Sequence, residues 1–147
     1  MADSNRYIFL ADDDEDYHHA FLDTLKDFEN HYLETSLNGK DALIKLMSTA
    51  NTPDLIFLDI NMPELNGFEC LALIKKNERL KKVPVIVYSS SEHKCFMETS
   101  QNLGAIGYIV KPEYSTNLKE RLQTALLKHF QQTNTGFDTP ATFFVIK

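Results

Sequence analysis

Directly after apolar runs stand four groups with polar chemistry: the carboxylates of Asp12, Asp13 and Asp14 after RYIFLA, that of Asp59 after LIFL, the hydroxyl of Ser89 after VPVIVY, and the ammonium of Lys111 after AIGYIV. In an open parallel sheet, ligands bind beyond the carboxyl ends of the strands, so residues at these positions meet along one edge. Bare carboxylates so gathered repel one another and push at least one pKa upward, which calls for a positive species. Oxygen ligands from a few carboxylates, completed by water, suit Mg²⁺ better than zinc, which prefers nitrogen and sulfur. With Lys111 and the Ser89 hydroxyl, such a site makes a pocket for a group with three anionic oxygens, and a phosphoryl group fits that description.

For those groups to meet, the apolar runs have to be neighbouring parallel strands. Five runs recur: RYIFLA (6–11), HYLETS (31–36), DLIFLD (54–59), VPVIVYS (83–89) and AIGYIV (105–110). Four are continuous rather than alternating, the pattern of strands covered on both faces; the second is weaker and reads as an edge. Between and after them, apolar residues recur at helical spacing: Tyr17, Phe21, Leu25 and Phe28; then Ala42, Leu43, Leu46 and Ala50; then Leu118, Leu122, Ala125 and Leu126. Helices over 64–78, lined by Leu65, Phe68, Leu71 and Ala72, and over 92–103 fill the other gaps. Ser36 or Asn38 suits a helix start and Gly104 a helix stop. Five β-α units joined by right-handed crossovers give a doubly wound α/β fold around a five-stranded parallel sheet.

A chain of 147 residues favours one domain. Its 43% apolar and 24% charged content is that of a soluble globular protein. The formal net charge of −6 disfavours nucleic acid or an anionic membrane as the main partner. The start lacks a signal-peptide pattern and no run reaches spanning length, so a cytoplasmic location is expected. Cys70 and Cys95 lack CxxC spacing and read as reduced structural thiols; His18, His19, His31, His93 and His129 are scattered and read as surface or packing residues. The end of the chain, TNTGFDTPATFFVIK, departs from the core pattern. Its ATFFVIK segment suits adding a strand to a sheet edge, its own or a neighbour's, or filling a partner groove, against the plainer expectations of folding back or disorder.

Taken together, FLADDDED, LIFLDINMPELNGFE, VPVIVYSSSE and GAIGYIVKPEYS resemble the receiver domain of two-component response regulators, with the CheY-like fold. The conjunction is specific although each piece alone is not. The resemblance implies a flavodoxin-like sheet of order 2-1-3-4-5, a receiver domain over residues 5–131 and a tail over 132–147 with no output domain. It implies that Asp59 is the phosphoacceptor, served by a histidine kinase or histidine phosphotransfer protein. Asp13 matches the direct Mg²⁺ ligand, Asp12 its acidic companion acting through water, and Asn61 the position whose backbone carbonyl reaches the metal. Ser89 and Lys111 match the hydroxyl and lysine that meet the phosphoryl group, and Tyr108 the aromatic that moves inward as Ser89 turns. The protein would then be a stand-alone switch, a monomer or weak dimer that signals by docking on a downstream protein rather than an enzyme in the ordinary sense. The Lys111–Pro112 bond is expected to be cis, as X-Pro bonds permit at small cost.

Some positions depart from the family pattern. Ser90 adds a hydroxyl beside the site, while Asn61 and Ser91 occupy positions that tune acyl-phosphate lifetime. Asn66 precedes Gly67 where an acid is frequent, and Glu113 with Tyr114 follows the Lys-Pro pair. Each signal also has a plainer reading: DDDED as a solvated helix start, Ser89 as a strand-end cap, Lys111 as a surface charge, Tyr108 as packing. Asp12, Asp14, Asp16 and Asp23 fall on EF-hand spacing, but Tyr17 stands where that loop needs Gly. Two other functions compete. A haloacid-dehalogenase-type phosphohydrolase would need a second acid where Asn61 stands, and an unphosphorylated interaction module would have no use for the retained cluster.

Overall fold

The computed structural model describes residues 6–28, 31–48, 50–113, 117–134 and 142–147. The elements run β1 (Arg6–Ala11), α1 (Glu15–Leu25), β2 (His31–Ser36), α2 (Gly39–Ser48), β3 (Leu55–Asp59), α3 (Gly67–Lys76), β4 (Val85–Ser89), α4 (Lys94–Asn102), β5 (Gly107–Val110), α5 (Leu118–Asn134) and β6 (Phe144–Ile146). All strands pair in parallel in the order β2-β1-β3-β4-β5-β6. The expected order of the first five strands is therefore observed, and the C-terminal segment adds a sixth beyond β5.

Because side chains alternate along a strand, each central strand feeds two cores. Phe9, Ile56, Leu58, Val85, Val87 and Tyr108 face α2 and α3, packing on Ala42, Leu46, Leu71 and Ile74. Ile8, Leu10, Phe57, Ile86, Tyr88 and Ile109 face α1 and α5, packing on Phe21, Leu25, Leu122 and Leu126. This two-sided burial is why the runs read as unbroken apolar stretches. Strand β2, at the open edge, is only partly buried along most of its length, as its weaker pattern suggested.

Helix ends follow from local chemistry. The Asn38 side chain accepts from Asp41 N–H at 2.7 Å and starts α2, while Gly104, at φ 102°, takes the left-handed turn after α4. Helix α3 begins at Gly67, three residues later than expected. Asn66 and Glu69 form a reciprocal capping box that sets this start. Ahead of it, Gly67 N–H donates to Ile60 O at 2.8 Å and draws the turn back against β3.

On β5, Gly107 leaves room for the Phe144 ring, which lies where a Cβ would sit. Ile146 is buried in the α1–α5 core and Phe143 packs toward the other, so β6 closes the β5 edge from both sides. Of the readings offered for ATFFVIK, its own sheet edge is the one seen; residues 135–141 of the tail lie outside the described residues, as does Tyr114. Cys70 is buried and Cys95 exposed, and both are free thiols. Among the described residues no helix is long and apolar enough to cross a membrane.

Candidate functional site

The alternation that builds the core also sorts the polar groups at the carboxyl edge. Asp12 follows Ile8 and Leu10 in parity, Asp59 follows Leu55 and Phe57, Lys111 follows Ile109, and Tyr88 shares the parity of Ile86. These four converge on the α1–α5 side. Ser89 and Tyr108 have the opposite parity and belong to the other side.

Ligand atoms of Asp12, Asp13 and Asp59 lie within 4.8 Å of one another. Asp12 is 0% exposed and Asp59 3%, whereas Asp13 faces solvent. The Lys111 ammonium lies 3.1 Å from Asp12 Oδ2 and 3.2 Å from Asp59 Oδ2, with its side chain 9% exposed. Asp59 Oδ1 accepts from Ile60 N–H at 2.8 Å. Three carboxylates against one ammonium leave an excess of negative charge when all are ionised. Burial, reinforced by Asp12 and only partly offset by Lys111, pushes Asp59 up to about 7. Asp13 is raised in the same way, by burial and then by Asp12. Burial would lower Lys111, but the two carboxylates outweigh it and its pKa is raised.

The donor set is all oxygen, the chemistry of a hard divalent cation rather than zinc. His18, the nearest imidazole in sequence, is buried with Nε2 2.7 Å from the Asp12 carbonyl, so it braces the backbone. Asp14 caps α1 and accepts from Asp16 N–H at 2.9 Å, as the helix-start reading of DDDED anticipated. Asn61 is exposed, two residues beyond Asp59.

Ser89 is fully buried at the end of β4. Its Oγ accepts from Ser91 N–H at 3.1 Å, and the Tyr108 hydroxyl donates to Ser91 O at 2.7 Å. The Ser91 peptide groups thus tie Ser89 to Tyr108, whose ring occupies the inner position. The Lys111–Pro112 bond is trans, contrary to expectation. The trans form is the lower in energy for X-Pro, and it presents the Pro112 carbonyl to the Tyr17 hydroxyl at 2.8 Å.

Two residues of the site do not stand out in the sequence. Tyr88 is 0% exposed and its hydroxyl donates to Asp12 Oδ2. Burial and then Asp12 raise its pKa well above the ordinary tyrosine value, which keeps it a neutral donor. Its ring and that of Tyr17 each lie 4.6 Å from the Lys111 ammonium, flanking it with two π faces. The signal was a tyrosine immediately before Ser89 in an otherwise aliphatic run, and a tyrosine heading the first helical stripe.

Gly67 holds the turn that follows Asp59. A Cβ there would lie 2.1 Å from Asp59 O and 2.7 Å from Ile60 Cα, backbone atoms that cannot swing aside. Gly67→Ala is therefore expected to destabilise the protein by about 2–3 kcal/mol, read as a lowered urea midpoint. An unchanged midpoint would mean the turn adapts without moving Asp59.

The Pseudomonas aeruginosa protein PilG is 39% identical over 95 residues, covering 65% of this chain and 66% of PilG. The Helicobacter pylori chemotaxis protein CheY1 is 30% identical over 119 residues, covering 81% of this chain and 95% of its own. The phosphorylated cyanobacterial phytochrome response regulator RcpA superposes with a TM-score of 0.80 at 29% identity, over 84% of this chain and 93% of that one. The Mn²⁺-bound response regulator Rcp1 gives 0.77 at 28% identity, over 83% and 92%. Residues 8–123 match the response regulator receiver domain, and with that match the chain belongs to the receiver family of two-component signalling.

Proposed function

We propose that Asp59 accepts a phosphoryl group from a histidine kinase or histidine phosphotransfer protein, and that this modification switches docking on a downstream protein. The observation that carries the reading is the Lys111 ammonium bridging Asp12 and Asp59 inside a carboxylate cluster at the strand ends. An oxygen of Asp59 attacks phosphorus in line as the bond to the donor's imidazole nitrogen breaks, and that nitrogen keeps the electron pair. Rigid β3 holds the nucleophile, so geometry supplies much of the rate. Lys111 is placed to meet the charge spreading over the phosphoryl oxygens.

Asp12, Asp13, Asp59 and the Asn61 carbonyl would hold Mg²⁺, which when bound neutralises charge on the transferring group. The phosphorylated state of RcpA and the metal-bound state of Rcp1 support this chemistry at a similar fold. For Ser89 to bond a phosphoryl group on Asp59, its Oγ has to release Ser91 N–H, and Tyr108 is tied to the same residue. Modification would thereby shift the population of two arrangements of the β4–α4 loop.

The test is incubation with acetyl phosphate, with and without Mg²⁺, followed by intact mass. One Mg²⁺-dependent phosphoryl addition that vanishes in Asp59→Asn is expected. Steady release of phosphate from unrelated esters would point instead to a hydrolase. The absence of any addition, together with no binding of beryllofluoride, would favour an interaction module.

A further inference from the structure

The fold needs only the apolar body of Tyr88, since the neighbouring positions of β4 are Val85, Ile86 and Val87. The hydroxyl is additional, and it enters the acidic cluster. Asp12 Oδ2 receives both the Tyr88 hydroxyl and the Lys111 ammonium, the latter at 3.1 Å. Oδ1 receives Asp14 N–H at 3.0 Å. A carboxylate offers about four acceptor positions, so three donors leave room for roughly one more, on Oδ1. Asp12 is thus both immobilised and partly quenched.

We propose that Tyr88 is a positioning residue that, through its hydrogen bond to Asp12, weakens the hold of the acidic cluster on a divalent cation. The inference rests on the reading of that cluster as a Mg²⁺ site. A donor on a metal-facing carboxylate takes up part of its charge and fixes which oxygen faces the cation, and such outer contacts tune affinity. With the donor removed, more of the Asp12 charge and one Oδ2 acceptor position become available.

Calorimetric titration of the full chain with MgCl₂, in the absence of any phosphodonor, tests this. Tyr88→Phe is expected to lower the Mg²⁺ Kd about three- to tenfold, the span of one ordinary hydrogen bond's net contribution. In an Asp12→Asn background, Tyr88→Phe is expected to have no effect. A merely structural defect would weaken binding, so the tightening is diagnostic. Unchanged or weaker binding in a Tyr88→Phe protein that melts like the parent would overturn the proposal. If that variant fails to fold, Tyr88→Met, which fills the strand face without a hydroxyl, carries the same expectation. A parent protein whose titration shows no binding that Asp13→Asn abolishes would overturn the Mg²⁺ reading itself, and the inference with it.

Discussion

Lys111→Met is expected to destabilise the metal-free protein by about 3 kcal/mol at pH 8, because it leaves two buried carboxylates facing each other without their cation. Methionine fills the slot between Tyr17 and Tyr88 and makes favourable contacts with both rings, so packing is largely kept and the electrostatic loss is isolated. Of the two oxygens that now share Lys111 at 3.1 and 3.2 Å, Asp12 Oδ2 would keep the Tyr88 hydroxyl, while Asp59 would keep the Ile60 N–H on its other oxygen, Oδ1. Asp59 escapes part of the cost by taking a proton, which caps the loss near this figure. At pH 5 Asp59 is already largely protonated in the parent, given its value of about 7. Lys111 then serves Asp12 alone, and the loss should be clearly smaller. Urea unfolding of parent and variant at the two pH values measures both. Equal losses at pH 5 and pH 8 would show that the ammonium acts by packing and not by charge.

What the sequence discloses and what it withholds divide along physical lines. Unbroken apolar runs follow from strands buried on both faces, so β1, β3, β4 and β5 and the groups at their ends were readable, and with them Asp12, Asp59, Ser89 and Lys111. Even the separation of Ser89 and Tyr108 from the other site residues is a matter of counting parity from the core. Strand β6 was recognisable as strand-prone, but three residues cannot announce which edge they join. That choice depends on Gly107 having no side chain beneath Phe144, a contact between positions far apart in sequence. The start of α3 is legible in the capping-box spacing of Asn66 and Glu69. The Lys111–Pro112 geometry is decided by small energy differences that sequence does not carry. Tyr88 was hidden because an aromatic in a strand looks like packing; only its hydroxyl distinguishes it, and what the hydroxyl meets is set by β1, which lies two strands away.

The stability of the metal-free protein should fall as pH rises from about 4 to about 7, and Asp59→Asn should remove most of that fall. Burial holds the folded-state value of Asp59 at about 7, against about 3.9 in an unfolded chain. Between those values the folded state binds a proton that the unfolded state has lost, so raising the pH favours unfolding. Below about 4 both states carry the proton and the contribution is flat; above about 7 the full cost is present. The cost is on the order of 2–4 kcal/mol. Asparagine cannot ionise, so the variant should match the parent near pH 4 and exceed it in stability at pH 8. Asp13 adds a contribution of the same sign, and His129, lowered by burial, one of opposite sign; the difference between parent and variant cancels that of His129, whereas Asp13, within the same cluster, changes with Asp59. Urea unfolding in EDTA across this range is the measurement, and parallel curves for the two proteins would refute the assignment. Adding Mg²⁺ at pH 8 should narrow the gap, because a cation in the cluster offsets the charge that asparagine removes. The carboxylate that weakens the fold is then the one proposed above as the nucleophile, and on that reading its burial, the source of the instability, is what would leave its charge available to a phosphoryl group rather than to water.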